Sequence, residues 1–305
     1  PRRIHQILLT AAPPPLPHSA ARGKDLHGMD TTAQGAAPGD AERNARGAVG
    51  VVGGVGPYAG LDLMRKLFDL TEARRDQEHL PVIAFSLPGE IADRTSFLLG
   101  ETDVNPGEAL GRIMVRLARA GAAVIGIPCN TAHSPRILEP ALRRLRDEAE
   151  DARFVHMIDA TMTAVAEAVG AGDAPREAVR VGVLSTRGTY ATGVYQDALS
   201  RAGFVPLFPD EAGRDRVQAA ISDPRFGIKA QSNPVTDTAR RLLADEAKRL
   251  AEQGARAVIL GCTEIPLALT EPCLHGVPLV DATAALARAL VLAFAPDKLR
   301  RPPRG

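Results

Sequence analysis

Three cysteines occur in this chain of 305 residues, and two of them stand at matching points of similar stretches. Residues 121–131 read GAAVIGIPCNT and residues 254–264 read GARAVILGCTE, so Cys129 and Cys262 each follow a Gly-Ala pair and an apolar run. Each is followed by polar residues that commonly open helices, Asn130 and Thr131 after the first, Thr263 and Glu264 after the second. A thiol just before a helix start feels the positive end of the helix dipole, which draws its pKa from about 8.5 towards neutrality, where general acid–base catalysis works best. Two such groups on opposite faces of one carbon could invert it, one removing hydrogen and the other returning it. Other cysteine chemistry fits less well. A zinc site wants more ligands at short spacing, and a redox pair is usually Cys-x-x-Cys. A Cys/His hydrolase would need His133, four residues after Cys129, to face the thiol rather than to cap or pack. For either cysteine alone, a small buried hydrophobe is as good a reading; the matched positions argue against it for the pair. Cys273, in LTEPCLHGVP, has no counterpart and is read as incidental.

The elements that must position these thiols alternate in character. AVGVVGG (48–54) is an apolar run ending in glycines, YAGLDLMRKLFDLTEA (58–73) has helical spacing, and LPVIAFS (80–86) is a second strand candidate. GEALGRIMVRLARAG (107–121) predicts a helix closed by glycine, and AAVIGIPC (122–129) a third strand. Such alternation predicts an α/β fold with a doubly wound parallel sheet. The pattern then recurs. VRVGVLSTRGTYATGVYQDAL (179–199) mirrors GAVGVVGGVGPYAGLDLMRKL (47–67), Gly50 corresponding to Gly182; MIDATMTAVAEAV (157–169) resembles LVDATAALARALV (279–291). Three matches in the same order predict two pseudo-symmetric α/β domains. Ligands of open α/β sheets bind beyond the carboxyl ends of the strands, so both cysteines are expected to approach one cleft between the domains.

Composition narrows the function classes. The net charge is +1, with no long basic block, and aromatics make up 4% with no Trp, which argues against a nucleic-acid binder. Three cysteines cannot all pair, so a reduced, cytoplasmic setting is the simpler expectation. No apolar run is long enough to span a membrane. Residues 1–46 are rich in Pro, Ala and Gly and are expected to be disordered, either as an Arg-bearing targeting segment or, by the plainer reading, as an extension upstream of Met29. The tail 298–305, ending DKLRRPPRG, is expected to be loose.

Taken together, GVVGGVGP, DQEHLPV, DRTSFLLG, PCNTAH, GTYATGVYQ and LGCTEIPLAL resemble the aspartate/glutamate racemase superfamily, most of all its aspartate racemase branch, over about residues 48–295. The resemblance implies a racemase without metal or other cofactor, in which Cys129 and Cys262 are the two acid–base groups. It implies that Arg94, in DRT, and Lys229, in FGIKAQ, meet substrate carboxylates, with a solvated surface charge as the alternative for each. It also implies that Asn130, Thr131, Thr263 and Glu264 surround the amino and carboxylate groups, that Val55 stands where the family usually carries Met, and that Ser86 ends the second strand beside the substrate. By the repeat and the resemblance together, the first domain comprises 47–153 plus the strand and helix at 277–297, and the second 154–276. Members of such a family are often dimers, which makes a homodimer the expected assembly. The expected substrate is a small amino acid, aspartate first. Glutamate or broad-range amino-acid racemisation follows, then hydantoin racemase or maleate isomerase chemistry. A dicarboxylate or amino-acid binder without activity stands outside that class. His79, in DQEHLP, is expected to be structural.

Overall fold

A computed structural model describes residues 47–170 and 179–300. The expectations for 1–46 and for the end of the tail, 301–305, lie outside the described residues. The first half runs β1 (Ala48–Gly53), α1 (Pro57–Asp69), β2 (Val82–Ser86), α2 (Arg94–Leu98), α3 (Pro106–Arg119), β3 (Ala122–Gly126), α4 (Pro135–Glu148), β4 (Arg153–Val155) and α5 (Met157–Val169). The second runs β5 (Arg180–Ser185), α6 (Arg187–Ala191), α7 (Val194–Arg201), β6 (Val205–Leu207), α8 (Glu211–Ser222), α9 (Asp237–Glu252), β7 (Ala255–Gly261), α10 (Ile265–Ala268), β8 (Cys273–Leu274), β9 (Val277–Asp281) and α11 (Ala282–Phe294).

Two sheets result, ordered β2-β1-β3-β4 and β6-β5-β7-β9-β8. Among the described residues, the pairings between these strands are parallel except the short β8–β9 hairpin. The strands β1, β3, β5 and β7 are buried nearly throughout, which is why they read as continuous Val/Ile/Leu runs rather than alternating ones. Helices cover both faces of each sheet. In the first half α3 and α4 bury Leu110, Ile113, Leu117 and Ile137 on one face, while Leu63 and Leu67 of α1 pack on the other. In the second, α8 and α9 place Val217, Leu243 and Leu250 on one face, and Tyr195 and Leu199 of α7 lie on the other. Each fully buried Leu contributes roughly 2 kcal/mol. The α/β fold with two doubly wound parallel sheets is thus present, and the repeat read from sequence is a structural one: Gly50 and Gly182 hold the same place in β1 and β5.

The last helix of each half crosses to the other. Ile158 and Val165 of α5 pack with Val181, Val183 and Ile259 of the second sheet, whereas Leu286, Leu290 and Val291 of α11 pack with Val49, Val51 and Val124 of the first. This corrects the assignment of 277–297 as one unit of the first domain. The strand Val277–Asp281 pairs with β7 in the second sheet, Val258 opposite Leu279, and only the helix that follows joins the first half. The reason is local: β8 turns back through His275 and Gly276, both at positive φ, and delivers β9 to the open edge of β7. The tail expectation also needs correction at its start. Arg300 N donates to Leu70 O, and Leu299 bridges Thr71, so residues 298–300 are pinned to the end of α1.

Candidate active site

Both cysteines lie just past the carboxyl ends of central strands, Cys129 after β3 and Cys262 directly after β7. They wall a single cavity at the seam of the two halves, together with Val55, Asp93, Arg94, Thr95, Asn130, Thr131, Thr186, Lys229, Thr263 and Glu264. Each thiol-bearing residue is 6% exposed. The cavity is tight, with space of about 10 Å³ for the centre of a water molecule, and therefore holds roughly one water. It opens beside a wider hollow of about 310 Å³, and Arg94, Lys229 and Glu264 line both. A larger apolar hollow of about 430 Å³, lined by Leu70, Ala164, Leu269 and Ala285, lies elsewhere along the seam and contains neither cysteine. Among the described residues, no group of three or more His, Cys, Asp or Glu could hold a metal ion, and no helix is long and apolar enough to cross a membrane.

The surroundings of Cys262 are anionic. Its Sγ donates to Glu264 Oε2 at 3.0 Å. Burial first, and the Glu264 carboxylate second, push the thiol well above the ordinary cysteine range, and the cation of Lys229 only partly opposes them. This overturns the expectation of a dipole-lowered thiol at Cys262. The helix that follows, α10, has four residues, and Glu264 rather than Thr263 stands at its start, without a side-chain cap. After Cys129, Asn130–His133 forms a 3-10 turn and the long helix α4 begins only at Pro135, so neither Asn130 nor Thr131 serves as its cap.

Glu264 is 4% exposed and reaches across the seam. Its Oε1 is buried with no hydrogen-bond partner, and it rests against Gly56, where any Cβ would collide with that oxygen. Gly56 also has φ +103°, which L side chains rarely adopt, so two separate constraints hold glycine at this position.

Arg94 opens α2, whose N-cap Asp93 accepts from Ser96 N at 2.9 Å. A second close approach sets this helix against α6 of the other half: a Cβ on Gly188 would stand 2.7 Å from Thr95 Oγ1. Burial alone would lower the pKa of Arg94, but the adjacent Cys129 and Asp93 outweigh it and raise the guanidinium. Lys229 follows the same logic, burial being outweighed by Glu264 and Cys262, so it too is raised. The neighbouring protein that desolvates its ammonium lies on the cavity side, while the residue as a whole is exposed to solvent at the mouth, in keeping with its place in the wider hollow.

The 129–133 turn is fastened from beneath. His133 Nε2 accepts from Met157 N at 3.1 Å, so the ring hydrogen sits on Nδ1 and is donated to the Cys129 carbonyl at 2.9 Å. Burial, reinforced by neighbouring His156, lowers the His133 pKa to about 3. It is a neutral strut and faces away from the thiol chemistry. Thr131 joins the halves as well, its hydroxyl lying 2.8 Å from that of Thr189 and 3.3 Å from that of Thr186.

Of the residues expected at the site, Val55, Arg94, Asn130, Thr131, Lys229, Thr263 and Glu264 line the cavity with the two cysteines. Ser86 does not. It is exposed at the end of edge strand β2, and the chain turns away there into Pro88 before returning at Arg94. Sequence reading missed Asp93, Thr95 and Thr186. For Thr186 a signal existed, because it follows β5 as the Val55 loop follows β1. His79 packs edge-on against Phe68 and lies outside the cavity.

The Asp/Glu/hydantoin racemase family model matches residues 52–290. The chain belongs to this family. It is therefore an isomerase of the amino-acid racemase type. Broad specificity amino-acid racemase RacX of Bacillus subtilis is 24% identical over 251 residues, covering 81% of this chain and 97% of its own. A glutamate racemase of Corynebacterium glutamicum is 29% identical over 219 residues, covering 69% and 70%. Among solved structures, Picrophilus torridus aspartate racemase superposes with a TM-score of 0.65 at 27% identity, covering 81% of this chain and 94% of that one.

Proposed function

We propose that this racemase interconverts L- and D-aspartate by a two-base proton transfer between Cys129 and Cys262, with no metal or organic cofactor. The observation that carries the reading is the single cavity walled by one thiol from each half. Cys262 holds its proton at neutral pH and lies against a carboxylate able to take it, while Cys129 faces the cation Arg94. On this reading Cys129 removes the α-hydrogen from one enantiomer while Cys262 protonates the opposite face, and the two exchange roles for the other enantiomer.

The charges around the thiols fit a dicarboxylic amino acid. Arg94 offers a fork for one carboxylate and Lys229 a point charge for the other. Glu264 Oε1, buried and unpartnered, suits an ammonium group. Cations at the carboxylates also stabilise the charge that builds toward the carboxyl oxygens as the α-proton leaves, usually the largest catalytic contribution. The tight cavity favours the shorter dicarboxylate, and the likeness to an aspartate racemase structure supports the same choice. Since the space holds about one water, the walls must part to admit an amino acid and then close around it.

The test is α-hydrogen exchange in deuterated water across acidic and neutral amino acids, with chelator present. Aspartate should exchange and racemise, with glutamate slower and neutral amino acids slowest. Aspartate binding without exchange would make the protein a binder and end the proposal; faster exchange of neutral amino acids would move the substrate towards the broad specificity named for its Bacillus relative.

A further inference from the structure

Tyr195 takes no part in the chemistry above, yet it touches both cysteine segments. It stands on α7 and is fully buried. Its ring lies against the residue before Cys262, since a Cβ on Gly261 would stand 3.0 Å from Tyr195 Cε2. Its hydroxyl donates to Asn130 Oδ1, on the residue after Cys129, at 2.5 Å. Burial, aided by nearby Cys262 and Asp281, raises the phenol above its ordinary pKa, so the hydroxyl keeps its hydrogen and remains a donor. With Oδ1 committed in this way, the Asn130 amide cannot flip. Its Nδ2 is buried without a partner, in a residue that is 2% exposed and lines the cavity. A buried donor left unmade is destabilising, and a bound carboxylate would satisfy it.

We propose that Tyr195 is a positioning residue that spans the two cysteine segments. Its ring fixes the strand end that carries Cys262, and its hydroxyl turns the Asn130 amide so that Nδ2 donates to a carboxylate oxygen of the bound amino acid. The inference rests on the acid–base reading of the two cysteines, and adds to it a residue that touches neither reacting atom.

Tyr195→Phe keeps the ring and removes only the hydroxyl. The experiment compares the parent, Tyr195→Phe, Asn130→Ala and the double variant. For aspartate, kcat/KM should fall about tenfold in Tyr195→Phe, mainly through KM, because the amide is then free to flip. Asn130→Ala should fall as far or further, and the double variant no further than Asn130→Ala. A lowered melting temperature with unchanged kinetic constants, or losses that multiply in the double variant, would overturn the proposal. A second readout needs no substrate: iodoacetamide alkylation of Cys129 and Cys262, followed by mass spectrometry. Cys129, next to the Asn130 that loses its partner, should react at least about threefold faster in Tyr195→Phe, while Cys262, whose strand end the retained ring still holds, should keep the parent's rate; an unchanged rate at Cys129 would refute the strut. If the parent racemises nothing, the acid–base reading fails by itself, and the alkylation rates still decide the role of Tyr195.

Discussion

The two cysteine segments occupy equivalent places in a repeated fold but have opposite electrical surroundings. Cys129 ends a strand of the first sheet, faces the guanidinium of Arg94, and hangs from a turn pinned by neutral His133. Cys262 ends the equivalent strand of the second sheet and gives its hydrogen bond to Glu264. Topological symmetry brings two thiols to one cavity, and the side chains two residues away or across the seam make them unequal. A racemase acting on mirror-image substrates needs symmetry only in where its bases stand. The charge around each is set locally, and here burial and Glu264 favour the protonated form of Cys262. Inequality of this kind leaves kcat/KM equal for the two enantiomers, because their equilibrium constant is one. It does let KM and kcat differ together between the enantiomers, as long as their ratio stays the same.

The largest effects should come from removing either side of the comparison. Cys129→Ala and Cys262→Ala should each lower racemisation of aspartate at least about a thousandfold, within the range for loss of a general acid or base, with melting temperatures near the parent's. Loss in only one of them would break the pairing. Next come the cations. Arg94→Ala should cost about a hundredfold in kcat/KM, in line with about 3 kcal/mol for a placed donor, whereas Lys229→Ala, at the exposed mouth, should cost about tenfold. Equal losses would remove the distinction between an inner and an outer cation.

Glu264→Gln sharpens the comparison more gently. Burial and the Glu264 charge both raise the Cys262 thiol. Neutralising the carboxylate removes the second cause, so Cys262 should ionise at lower pH, and the alkaline limb of the pH–rate profile should move in that direction. An unmoved limb would assign it to another group. The smallest expected effect on catalysis is at His133, where the readout is stability. Its pKa is about 3 in the fold and about 6.5 when unfolded. A group with a depressed folded pKa contributes stability that is complete above about pH 6.5 and is lost as pH falls towards 3. Urea denaturation should therefore show stability falling across that window, by on the order of 5 kcal/mol, and His133→Gln should flatten the slope. A parallel slope in both proteins would mean that His133 is not the titrating group.

Much of this arrangement was legible in the residues. Continuous apolar runs such as AVGVV and AVILG mark strands buried on both faces, and the repeat places both cysteines at strand ends before any coordinates are seen. What was not legible depends on long-range choices. VPLVD is a strand by its own pattern, but nothing in it says which sheet edge it joins, so 277–297 looked like one unit and is divided between the halves. The polar residues after each cysteine suggested helix starts. The chain instead makes a short turn at one and a four-residue helix at the other, and a carboxylate contact settles the charge at Cys262. Ser86 was placed by the resemblance, at the end of the second strand, whereas the loop after this edge strand swings away from the seam. Tyr195 lies within the GTYATGVYQ stretch that carries the resemblance, but no role for it was legible there, since a tyrosine at helical spacing reads as core, and only the contacts of its ring and hydroxyl set it between the two thiols.

One measurement bears most directly on the two-thiol claim: deuterium at the α-carbon of aspartate, followed by mass spectrometry and chiral chromatography at early times in deuterated water. Starting from either enantiomer, the product should carry one solvent deuterium while the remaining substrate carries almost none, because a different sulfur handles each face. Early deuterium in the remaining substrate, at a rate matching product formation, would mean that one group serves both faces and would contradict the account.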